Sequence, residues 1–219
     1  SRTIKYNNMT FNSLNTIIDD IMLELRNSNI SESEQLSRLQ IEQWIHYYRA
    51  FLIKQDIDKG RDINPSYVQT KNVTLTKTGD TYTSDIKIPK TLDFHFDSGI
   101  RSIRDNSGRL IQLGTRLKAE LQPIRQYAIY DPIAYMQNDY IKIISNGTDT
   151  ITSLEVDVIA EDPTSVNSPY DADSVYPIPA NMIPTIKDLI FSKELNIMPQ
   201  EIVDEKNNSN DDTNRNVQN

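Results

Sequence analysis

The sequence predicts an α+β protein: an N-terminal helical hairpin, an inserted antiparallel β barrel or sandwich, and a C-terminal helix that returns to the hairpin. Three observations predict it. Apolar residues recur at three- and four-residue spacing from residue 11 to residue 53. Between about residues 64 and 162 the rhythm changes to alternation broken by short turns. A second helical stripe then follows a Pro- and Ser-rich stretch at 163–179. The resulting boundaries are 1–62 for the hairpin, 63–163 for the β domain, 164–198 for a linker and the returning helix, and 199–219 for an extended interaction tail.

In the first helix Phe11, Leu14, Ile17, Ile18, Ile21, Met22 and Leu25 share one face, and Thr10 is placed to cap it. Asn27-Ser28-Asn29 ends it, because short polar side chains compete with the helical backbone. Ser31 and Glu34 make a capping box for the second helix. That helix carries Leu36, Leu39, Ile41, Trp44, Ile45, Tyr47, Tyr48, Phe51, Leu52 and Ile53, which cover more than one face. A helix apolar on several sides has to be covered on several sides. The first helix covers one, so Trp44, Tyr48 and Phe51 are candidate anchors for a subunit interface. His46, between Ile45 and Tyr47, reads as a packed and hydrogen-bonded histidine.

The β region holds about seven short strands. Val73 and Leu75 alternate with threonines up to the turn Thr78-Gly79-Asp80, and Tyr82, Ile86 and Ile88 follow it. Ile100–Arg104 and Leu110–Leu113 flank Asp105-Asn106-Ser107-Gly108 as a hairpin. Residues 127–136 and 140–144 flank Gln137-Asn138-Asp139 as another. Leu154, Val156 and Val158 alternate with Glu155 and Asp157. After the linker, Pro184 suits the first turn of a helix, and Met182, Ile183, Ile186, Leu189 and Ile190 form its apolar face. Met182 and Ile186 join the interface candidates, and Asn196 is the expected stop. Residues 207–219 contain six asparagines and one aliphatic residue, Val217, too little apolar surface to offset the entropy of ordering without a partner.

Composition excludes several functions. A formal charge of −8 and a pI near 4.8 disfavour tight binding to phosphate backbones. Without cysteine there is neither a disulfide nor thiol catalysis. No apolar run approaches the roughly 18 residues of a membrane span, so no membrane association is expected. Ser1 at the start reads as the residue left by removal of an initiator Met. The six glycines form neither a dinucleotide fingerprint nor a P-loop. Asp93, His95 and Asp97 alternate, so a strand would project all three from one face. Two carboxylates and one imidazole are too few for a closed metal site, and the trio reads as a solvated or interfacial face. Asp105-Asn106-Ser107-Gly108 begins like a calcium loop, but Arg116 stands where the twelfth-position carboxylate belongs. No catalytic, cofactor-binding or metal-binding residue is assigned.

Two segments carry a resemblance. Phe11–Ile21 (FNSLNTIIDDI) with Gln40–Ala50 (QIEQWIHYYRA) resembles the opening hairpin of phage head-to-tail adaptors, and Tyr176–Ile190 (YPIPANMIPTIKDLI) is similar to a segment of ring proteins of crAss-like short-tailed phages. The resemblance implies a non-enzymatic virion protein without cofactors, assembled in the bacterial host cytoplasm as a homo-oligomeric, dodecameric ring. Such a ring docks on the portal protein, meets adjacent tail ring proteins and extends a channel that DNA crosses without specific binding. Two rival readings of the residues are a sugar-binding β-sandwich module and a metal-dependent hydrolase built on Asp93, His95 and Asp97.

Overall fold

A computed structural model describes residues 12–27, 37–95, 98–124, 131–144 and 150–195. Its helices are α1 (Leu14–Asn27), α2 (Arg38–Asp58), α3 (Arg116–Leu121) and α4 (Ile183–Leu189), the last continuing as a π-helical turn at Ile190–Glu194. Its strands are β1 (Gln69–Thr78), β2 (Thr81–Ser84), β3 (Ile100–Asp105), β4 (Gln112–Leu113), β5 (Ile133–Gln137), β6 (Tyr140–Ile144) and β7 (Ser153–Val158).

The predicted stripe on α1 is buried at Leu14, Ile17, Ile18, Ile21 and Leu25. Each such side chain contributes about 1.5–3 kcal/mol by leaving water. Ser13 caps this helix, its Oγ accepting the Thr16 N–H at 3.2 Å; Thr10 and Phe11 lie outside the described residues. The second helix begins later than its capping box suggested. Ser37 has extended backbone, and its Oγ accepts the Gln40 N–H at 3.1 Å, which makes Ser37 the N-cap; Ser31–Glu34 lie outside the described residues. At its far end Gly60 takes φ +77°. The Gly60 N–H donates to Ile57 O at 2.9 Å and the Arg61 N–H to Asp56 O at 3.2 Å, a Schellman stop that needs a residue tolerant of the left-handed region.

The seven strands form one sheet in the order β3-β7-β1-β2-β6-β5-β4. Asn138 and Asp139, with φ of 54° and 68°, close the β5–β6 hairpin, since two left-handed residues match the twist of the flanking strands. The expected return strand at Leu110–Leu113 is only half realised. Leu110 bridges Arg104, and the Ile111 N–H donates to Ile103 O at 2.8 Å. The chain then leaves β3, and β4 pairs in parallel with β5. The sheet is therefore mixed rather than wholly antiparallel, and this turn brings its two ends together in a nearly closed barrel. Val73, Tyr82, Ile103, Ile141, Ile143, Leu154, Val156 and Val158 are among the residues that fill it. The Asp105 carboxylate is spent locally. It accepts the Ser107 N–H and hydroxyl and the Arg109 N–H and Nε–H, as a tight turn requires.

Residues 163–179, expected as linker, contribute Val166, Tyr176 and Ile178 to the interior. The returning helix packs on the hairpin. Ile186 and Ile190 are buried against α1 and α2, and Lys187 Nζ reaches Asp20 at 3.2 Å and Glu24 at 3.3 Å. Asn196 and the tail from residue 199 lie outside the described residues.

Candidate functional site

Helix α2 meets three environments. One side, with Ile41, Ile45 and Tyr48, packs on α1, α4 and the 170–178 segment. Another, with Ile53, packs on Tyr67, Leu92, Phe94 and Ile159 at the end of the barrel. The third faces out.

Between the first two sits Arg49, fully buried within an otherwise apolar stripe. Its Nε–H donates to Pro177 O at 2.8 Å, Nη1 to Ala160 O at 2.8 Å and Nη2 to Tyr67 O at 3.3 Å. Burial pulls its pKa below the ordinary guanidinium range, yet the forked guanidinium keeps three backbone carbonyls satisfied, which a point charge does not do. It also lies 5.9 Å from the Tyr176 ring centroid, in cation–π range.

His46 stacks on that same ring, and its Nδ1 is 2.7 Å from the Tyr176 hydroxyl. Nε2 faces Glu42 at 3.6 Å and Asp162 at 3.7 Å. With two carboxylates beside Nε2, the neutral ring keeps its proton there, and Nδ1 accepts from the tyrosine. Burial lowers the His46 pKa from 6.5; Asp162 and Glu42 oppose that shift, and Arg49 adds to it. Burial also drives the Tyr176 hydroxyl well above its ordinary range. The packed histidine of the sequence reading is thus one member of a polar junction between helix, barrel and the 162–177 segment.

The five interface candidates separate by position. Tyr48 is buried inside the subunit and donates to Glu194 Oε1 at 2.6 Å; burial and that carboxylate push its hydroxyl up to about 12. Ile186 is buried. Trp44 and Met182 are half-buried, and Met182 Sδ accepts from the Tyr67 hydroxyl at 3.4 Å. Phe51 is exposed, with Tyr47 and Leu39 beside it on the outer face of α2. At 100° per residue the sector between Leu39 and Phe51 also holds Gln40, Gln43 and Ala50, and the exposed Lys54 continues it one turn beyond Phe51, so the face is open to solvent and carries a cation at its end. Large exposed aromatic side chains such as Tyr47 and Phe51 are of the kind enriched at interfaces.

Sequence reasoning missed α3. Thr115 caps it, accepting the Lys118 N–H at 3.3 Å, and Ala119 packs on Ile133 and Tyr135. Its other side exposes Leu117, Leu121 and Ile124. The signal was present as a capping threonine followed by aliphatic residues at i, i+4 and i+7.

Asp93 and His95 both face solvent, while Leu92 and Phe94 point inward. Asp93 O accepts from Lys54 Nζ at 2.8 Å, and the His95 N–H donates to Asp58 Oδ1 at 3.1 Å. Asp97 lies outside the described residues. Among the described residues no group of three or more His, Cys, Asp or Glu is placed to hold a metal, and no helix is long and apolar enough to cross a membrane. A cavity of about 400 Å³ opens between Val68, Gln69, Pro169, Tyr170 and Pro177.

The class these features define is an α+β subunit with a barrel insert and exposed apolar side chains on the outward face of α2. Residues 16–213 match the crAss phage tail ring protein 2 family, and the chain belongs to that family. It is a structural component of a phage tail and hence of the virion. No curated protein matches the chain.

Proposed function

We propose that the protein is a non-catalytic ring subunit of the head-to-tail connector, docking on the portal side and extending the DNA channel toward the tail. The observation that carries this reading is the open face of α2, where the large apolar side chains of Leu39, Tyr47 and Phe51 are exposed beside the single cation Lys54. A free monomer gains nothing from such a face, and a repeated subunit contact covers it. The ring is dodecameric, and the charge of −8 suits a lumen from which DNA is repelled during passage. The tail from residue 199 reaches a neighbouring ring. Cryo-electron microscopy of the full chain mixed with its portal protein tests the reading. Twelve-fold rings stacked on the portal and open to DNA are expected; a monomer that ignores the portal, or a lumen lined mainly by Lys and Arg, overturns it.

A further inference from the structure

We propose that neighbouring subunits join head to tail, the outer face of α2 in one copy seating on the α3 face of the next. The inference rests on the ring reading above and assigns its contact. Leu39, Tyr47 and Phe51 are 62%, 62% and 47% exposed, and Leu117, Leu121 and Ile124 are 65%, 44% and 75% exposed. These are two different patches on elements far apart in the chain. A patch that pairs with itself closes a two-fold dimer, whereas a ring of more than two copies needs two distinct patches that fit each other. The subunit offers such a pair.

Area and shape agree with this pairing. At roughly 200 Å² per large side chain, each face presents on the order of 300 Å² of exposed apolar surface. Neither is enough alone. Together they supply about 600 Å², the greater part of the apolar centre of an interface burying about 1,600 Å² in total. The α2 row from Leu39 to Phe51 runs about 18 Å along its axis, and the α3 row from Leu117 to Ile124 about 10 Å, at 1.5 Å per residue. The shorter ridge of aliphatic side chains therefore lies within the longer face, where Tyr47 and Phe51 are rigid anchors with few rotamers. Both rows hang outside the described cores, so substituting them leaves folding intact.

The chain contains no cysteine, which makes single-cysteine cross-linking a direct test. Purified Tyr47→Cys and Leu121→Cys chains are oxidised separately and as a mixture, with Phe51→Asp and Leu121→Asp as association controls. A disulfide-linked pair is expected in the mixture and in neither variant alone, and the Tyr47→Cys/Leu121→Cys double variant is expected to give a ladder that ends in a closed ring. Each Asp variant weakens association about 30-fold or more, as loss of an anchor side chain does. Rings that form without this cross-link, or a cross-link in Tyr47→Cys alone, overturn the pairing and leave the ring reading standing. Absence of rings in the unsubstituted protein at every concentration overturns both.

Discussion

Arg49 donates through Nη1 to the carbonyl of Ala160 at 2.8 Å, tying helix α2 to the end of the barrel across 111 residues of chain. Its other nitrogens hold Pro177 and Tyr67. The junction between the helical unit and the barrel is therefore a charged one inside an apolar surround. Replacing Arg49 with Met leaves three backbone carbonyls short of a donor in a site closed to water. Each such group costs about 1–3 kcal/mol, so the expected loss is about 3 kcal/mol or more in urea unfolding. Arg49→Lys should recover only part of it, because an ammonium on a flexible stem lacks the fork. A variant as stable as the parent would remove Arg49 from the account of the junction.

Tyr48→Phe removes the hydroxyl that meets Glu194 at 2.6 Å and keeps the ring in the core. The freed carboxylate is exposed and returns to water, so the cost is about 1 kcal/mol. The local effect is larger than the global one. Amides in residues 190–195 should exchange faster while those of α1 stay protected, and unchanged exchange there would show that the π-helical turn is held by its apolar contacts alone.

Acid should loosen the His46 junction. Burial depresses the folded-state pKa below the ordinary 6.5, so the unfolded chain takes the proton first. Stability is full above about pH 6.5, declines as the pH drops through that value, and levels off once the folded-state pKa is passed. Urea midpoints measured between pH 5 and pH 8 for the parent and for His46→Gln check this. The parent should show the slope and the variant a flatter profile; identical profiles would place the sensitivity elsewhere.

Two glycines should respond to alanine by different routes. A Cβ on Gly99 would stand 2.7 Å from Leu92 O and from Thr91 Cβ, and 2.9 Å from Ile159 O. Two of those atoms are backbone and cannot yield, so Gly99→Ala is expected to cost about 1–3 kcal/mol through overpacking. Gly79 has nothing within 4 Å but a φ of +61°, and its alanine variant should lose about 1 kcal/mol to the left-handed backbone alone. Paired thermal melts separate the two, and equal losses would mean that the strand edge at Gly99 relaxes.

Helices α1, α2 and α4 and the β5–β6 turn were legible because each is written locally. The α1 stripe, the Asn138-Asp139 turn and Pro184 state their geometry within a few residues. The parallel pairing of β4 was not, since two residues carry no signature of which strand they will join. Tyr48 and Phe51 show the limit for the interface. Periodicity says that a side chain needs cover; it does not say whether the same chain or another supplies it. Tyr48 is covered from within by α4 and the turn after it, and Phe51 is left open. Arg49 could have been noticed as a cation four residues from both Ile45 and Ile53, but its three carbonyl partners lie 18, 111 and 128 residues away.

That separation also sets an order of events for a chain leaving the ribosome. α1 and α2 emerge long before Ala160 and Pro177 exist, and the helix that completes their core, α4, is made last of all. Until then the guanidinium of Arg49 remains hydrated and the apolar side of α2 is covered only in part, by α1. The barrel, whose strands lie between, can close on contacts of its own, whereas the hairpin waits for the chain to return and meets the loop-closure cost late. Nascent subunits should therefore pass through a stage with a folded barrel and an unfinished hairpin, so that synthesis of the last third of the chain, rather than collapse of the first, licenses a subunit to enter the ring.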